Sequence, residues 1–160
     1  MLLGELRRRG YGVVEEPGRR IVNEELEEGG SALPWVDMTA FLRRAAEVAL
    51  LDRTRADGVA GWVFFDRCLV DAVAGLEEIT GEPLLASLAQ GIRYHHRVFL
   101  VPPWPEIYVR DPERRHDIDA ALVEYSRLLR AFSSLEYEIS VIPKIGVSER
   151  ADFVLDILYG

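Results

Sequence analysis

Two rhythms of apolar residues run along this chain. In the first, apolar side chains recur every three or four positions among charged ones, the spacing of one face of a helix. Leu2, Leu3 and Leu6 follow it, with Arg7 to Arg9 at the cation-favouring end and Gly10 placed to stop the helix. The rhythm returns across Arg19–Glu28, then through Phe41, Leu42, Ala45, Val48, Ala49 and Leu51, with Asp37 or Thr39 in position to cap. It recurs over Val70–Ile79, Pro83–Ile92 and Ile118–Leu135, and in a last helix to Leu158 with Ser148 as its expected cap. The second is a short, mainly apolar run, unbroken at Trp62–Phe65 and Val98–Val101, ending in an acid at Tyr11–Glu15, and present again at Glu138–Ile142. Such runs are too short for buried helices and read as strands covered on both faces.

Helices and solid apolar strands therefore alternate, which predicts an α/β domain with a parallel sheet between helical layers. There is no internal repeat, low-complexity tract or linker, so residues 1–160 read as a single domain. A length of 160 residues is ample for one core. The net charge of −8 argues against nucleic acid or an anionic membrane as partner. A lone cysteine, Cys68, excludes an intrachain disulfide and a cysteine zinc cluster. Neither a signal peptide's apolar segment nor a bilayer-length apolar run (roughly 18 residues) is present, and a cytoplasmic location is expected. Of 19 basic residues only one, Lys144, is lysine.

Ligands of open parallel sheets sit beyond the carboxyl ends of the strands. Glu15 and Glu16 follow the first strand, Asp66 and Arg67 the second, and a segment with Arg110, Arg114 and Arg115 the third. Carboxylates facing guanidinium groups suit phosphoryl transfer: the acid holds Mg²⁺ or orients a nucleophile, and the arginines neutralise phosphate charge. Each also has a plainer reading. Asp66 alone is as well placed to cap a helix, Arg67 to pair with an acidic neighbour, and Arg110–Arg115 to be a solvated helix start. His95 and His96, adjacent in sequence, are expected to point apart, and Cys68 to be buried and inert. Trp35 and Trp104, in Pro-bearing loops, are expected to anchor packing.

The order GYGVVEEPGRRIVNEEL, GGSALPW, VFFDR and YHHRVFLVPPWPEIYVRDPERR resembles a family of P-loop AAA-domain ATPases of kinase-like topology. These are grouped with the ribosylnicotinamide kinase domain of the NadR regulator and the TRPL translocation-defect protein. The resemblance implies a three-layer P-loop NTPase fold, ATP and Mg²⁺ as cofactors, and a nucleotide and a small-molecule acceptor as partners. It implies that Asp66 is the Walker B-type acid on the metal, that Glu16 lies by the acceptor or metal, and that Arg114 and Arg115 belong to a mobile lid over the phosphates. Arg110 is expected to join them on the phosphates, and Arg67 to help bind the substrate.

One departure outweighs the matches. The family's first strand runs into GxxGxGK[ST], and these 160 residues contain no such run; Lys144 lies in VIPKIGV with no glycine-rich loop before it. MLLGELRRRGYGVV corresponds to the second half of the helix after that loop, so the chain reads as an N-terminally truncated domain. A mis-set start, a shortened sequence or a degenerate paralogue would each produce it. The resemblance sets the missing strand between Trp62–Phe65 and Val98–Val101. The expectation is an ATPase or small-molecule kinase that is incomplete without its phosphate loop. The alternative is a non-catalytic degenerate P-loop fold serving as a protein-interaction module.

Overall fold

The computed structural model describes residues 1–88, 91, 93–105 and 112–160. The described elements are α1 (Leu2–Arg8), β1 (Gly12–Val14), α2 (Pro17–Glu28), α3 (Met38–Ala56), β2 (Val63–Phe65), α4 (Leu69–Thr80), α5 (Leu85–Leu88), β3 (Arg97–Leu100), α6 (Pro112–Ser134), β4 (Glu138–Val141) and α7 (Val147–Tyr159). Their order matches the alternation expected from the apolar runs. The chain divides into two compact units: one runs from the N-terminus to Tyr94 apart from Leu2, the other comprises Leu2 and His95–Gly160.

In the first unit β1 and β2 form a parallel ladder, Gly12 opposite Val63, Val13 opposite Phe64 and Val14 opposite Phe65. Tyr11 meets Phe64 edge to face at 5.7 Å between ring centres. The α1 helix begins without a side-chain cap, and the chain turns where expected, at Gly10 with φ 95°, a conformation glycine adopts without a Cβ clash. Asp37, not Thr39, caps α3, accepting the Ala40 N–H at 3.1 Å. The α4 helix is the unit's core element: Leu69, Val70, Ala72, Val73, Ala74, Gly75 and Leu76 are all buried. Gly75 lets α3 approach it, since a Cβ there would lie 3.1 Å from Leu42 Cδ1. Leu69 and Val73 close over Ala49 of α3, with Leu84, Leu85, Leu88 and Tyr94 against them.

The expected Pro83–Ile92 helix is corrected to a single turn, Leu85–Leu88; Ala89, Gln90 and Ile92 lie outside the described residues. Leu85 N–H is held by the Glu77 carboxylate at 3.3 Å, so this turn is pinned to α4 from its side and gains little from its own length.

In the second unit β3 and β4 are also parallel, Arg97 opposite Glu138 through Leu100 opposite Val141. Phe132, Leu135, Tyr137, Ile142, Ala151 and Val154 are buried there, and the Phe132 and Tyr137 rings meet edge to face at 5.6 Å. Gly146, not Ser148, occupies the cap position of α7; Ser148 falls inside the first turn because the helix begins one residue before it. Among the described residues the sheets are thus two parallel pairs, β1–β2 and β3–β4. Neither ladder contains both of the strands that the resemblance sets either side of the missing one.

Candidate functional site

The carboxyl ends of β1 and β2 bring Glu15, Glu16, Asp66 and Arg67 into one neighbourhood. Asp66 N–H donates to the Val14 carbonyl at 2.9 Å, which carries the ladder one step past β2 and sets Asp66 beside the β1 end. Asp66 does not cap the next helix. Cys68 does, in a reciprocal box with Asp71, whose carboxylate accepts the Cys68 N–H at 3.0 Å. The Asp66 side chain, half-buried at a strand end, is therefore not taken up by the role that competed with a metal-binding one.

Its neighbours are occupied. Glu15 is exposed and pairs with Arg7 at 2.9 Å, and that guanidinium holds its carboxyl below the usual range. Glu16 is half-buried and opens α2 without a side-chain cap bond; Pro17 follows at the first helical position. Arg67 reaches Asp71 at 3.4 Å, the acidic partner expected of it. Arg20 is bound to the buried Asp52 of α3 and also donates to the Glu15 carbonyl at 3.1 Å. Arg7, Arg20 and Arg67 are each engaged with a carboxylate rather than gathered as a phosphate cradle.

Burial pushes the Cys68 thiol well up, with the Asp71 carboxylate adding to it, which keeps the sulfur in its unreactive form. Burial likewise raises Asp71, against the lowering pull of Arg67. Tyr94 packs edge to face on Phe65 at 5.2 Å, and its hydroxyl accepts the Leu69 N–H at 3.0 Å. Arg53 stacks over the Tyr94 ring at 5.7 Å and donates to the Arg93 carbonyl at 2.9 Å. Arg20, Asp52, Asp71 and Tyr94 were not singled out by pattern. Asp71 alone left a signal, an acid three residues past the cap position.

In the second unit, the β3 end continues into Pro102–Pro103–Trp104, and Arg150 of α7 lies over the half-buried Trp104 ring at 5.3 Å. Trp35 departs from the packing role expected of it, being 65% exposed on a turn where Leu33 is the buried residue. Arg110 lies outside the described residues. Arg114 and Arg115 fall within the first turns of α6. His95 and His96 do not point apart: they precede β3 rather than lying in it, and their rings sit 4.2 Å apart. Among the described residues no group of three or more His, Cys, Asp or Glu is arranged to hold a metal ion. A shallow groove of about 360 Å³ on α3 is edged by Asp37, Arg43, Arg44 and Glu47, away from the strand ends.

The described residues form a mixed α/β protein with short parallel strands, the β1–β2 pair carrying acids at its carboxyl end, and comparison with known families gives the class. A family model described as an AAA domain matches residues 1–150, and the chain belongs to that family. This places it in the P-loop NTPase superfamily, a nucleotide-binding class whose members usually take ATP with Mg²⁺. No curated protein and no solved structure matches the chain significantly. No helix among the described residues is long and apolar enough to cross a membrane.

Proposed function

We propose that this chain serves as an ATP-dependent ATPase or small-molecule kinase domain acting in the cytoplasm, and that its turnover requires a phosphate loop of the GxxGxGK[ST] kind, which these 160 residues do not contain. The observation that carries the reading is Asp66: a half-buried carboxylate at the end of β2, fixed to the β1 end through its own N–H, with the capping of α4 done by Cys68. Asp66 would hold Mg²⁺ directly or through water, and the metal would offset charge on the phosphates. Glu16 would face the acceptor or the metal, with Arg67 beside it, and Arg110, Arg114 and Arg115 would close over the phosphates. The NadR or TRPL kind of kinase-like topology is the version of the family this reading adopts.

The residues present fit the metal better than the nucleotide. A carboxylate at a strand end is the donor Mg²⁺ takes. The sequence contains no GxxGxGK[ST] run to supply a P-loop's backbone N–H cradle, lysine and hydroxyl, and Arg7, Arg20 and Arg67 already hold carboxylates. Those same pairings favour a second reading, a non-catalytic module that uses the fold for a protein partner.

Two measurements separate the readings. By calorimetry, the 160-residue chain is expected to bind ATP·Mg weakly or not at all; low-micromolar affinity would overturn the need for the loop. With a strand and GxxGxGK[ST] segment joined ahead of Met1, Mg²⁺-dependent ATP turnover is expected, and Asp66→Asn should abolish it while the helical circular dichroism stays unchanged. Full turnover in Asp66→Asn would remove Asp66 from the site. No turnover in the extended chain would favour the interaction module.

A further inference from the structure

The turn that carries Asp66 out of β2 is held in an unusual state. Arg67 stands at φ 65°, in the left-handed region; among the described non-glycine residues only Glu136 shares it. There the Cβ crowds the following carbonyl, so a residue other than glycine stays only when its surroundings hold it. Two contacts from one side chain take part in holding it. Asp71 Oδ2 accepts the Cys68 N–H at 3.0 Å, and Asp71 Oδ1 faces the Arg67 guanidinium at 3.4 Å. The Asp71 side chain is only 15% exposed and rises from the first turn of α4, the most buried helix of its unit. Helix capping accounts for the first contact. It does not account for the second, which draws a surface arginine back over its own turn.

We infer that Asp71 is a positioning residue: anchored in α4, its carboxylate holds the left-handed turn at Arg67 and thereby sets the direction in which Asp66 leaves the sheet. Asp66 is fixed on its amino side by the bond to Val14. The torsions between Asp66 and Cys68 are the remaining freedom, and Asp71 grips both the residue after that hinge and the side chain within it. The functional meaning of this device rests on the reading of Asp66 as the Mg²⁺-side acid.

The test is NMR of the 160-residue chain, which reads the turn without needing turnover. Asp71→Asn keeps an acceptor for the Cys68 N–H and removes the charge facing Arg67. The Arg67 Cα shift should move from its left-handed value toward the extended one, and the Asp66 amide should move with it, while α4 amides stay protected from exchange. Arg67→Gly added to Asp71→Asn should return the Asp66 and Cys68 amides to their wild-type positions, because glycine occupies the turn without a partner. A helix cap lost at Asp71 would not be rescued in this way. Should Asp71→Asn loosen α4, Arg67→Met removes the pair and leaves the cap intact, and the same Asp66 displacement is expected. Unmoved Asp66 and Arg67 resonances in Asp71→Asn or an unmoved Asp66 amide in Arg67→Met, or failure of glycine to restore them, would overturn the inference. Failure of Asp66→Asn to affect turnover would instead overturn the reading of Asp66 and leave the turn result standing.

Discussion

Breaking the pair between Arg20 and Asp52 should be among the costliest polar changes in the first unit. Asp52 is the buried charged residue there, 9% exposed. Arg20 of α2 binds it and extends a second N–H to the Glu15 carbonyl, so one guanidinium ties α2 to α3 and to the end of β1. Its Nε is already buried without a partner. Removing one member of a fully buried pair costs about 3–5 kcal/mol, and an exposed pair contributes about 0–1. The Arg20 side chain is 37% exposed, so water recovers part of the loss; Asp52→Ala should cost about 2 kcal/mol. At roughly 2–4 °C per kcal/mol for a chain of this size, the midpoint should fall by about 4–8 °C. Arg7–Glu15, with both side chains more than half exposed, is the internal control. Urea melts of Asp52→Ala, Arg20→Met and the double variant give the coupling energy, and hydrogen exchange at residues 14–20 reports release of the β1 end. A coupling below about 0.5 kcal/mol, the scale of an exposed pair, would refute the assignment of this bond as a structural tie.

Two further outcomes follow from the same structure. Ile142 is 2% exposed at the end of β4, its N–H bonded to the Leu100 carbonyl at 2.9 Å; Ile142→Ala should cost about 2–5 kcal/mol by urea melt, and a cost near zero would take it out of the core. Glu5 is held down to about 2 by hydrogen bonds from Arg8 and then Arg9. Its folded value lies below the ordinary 4.5, so its contribution to α1 is present above that value and is lost as pH falls toward 2. A carboxyl NMR titration midpoint near 4.5 would refute it.

The sequence by itself determined the order of the elements. Unbroken runs such as Trp62–Phe65 and Val98–Val101 read as strands and the charged-apolar spacing of Ile118–Leu135 as a helix, so element type was legible from pattern; the cover expected on both faces was not, since β2 is half-buried throughout and Val101 is 45% exposed. It also marked Asp66 as a strand-end carboxylate, with helix cap and metal-side acid as its two competing readings. Helix boundaries depended on more than pattern. Ser148 looked like a cap, yet α7 begins at Val147, and the helix expected from Pro83 begins at Leu85, whose N–H is held by Glu77 of α4. Only the tertiary structure decided what Asp66 is free of and what surrounds it. The cap fell to Cys68 and Asp71, and the arginines near the strand ends were drawn to Glu15, Asp52 and Asp71. Arg20 and Asp52 stand 32 positions apart, and no periodicity in either helix announces that they meet. A pairing of that kind is set by how two buried faces come together, which local spacing does not encode.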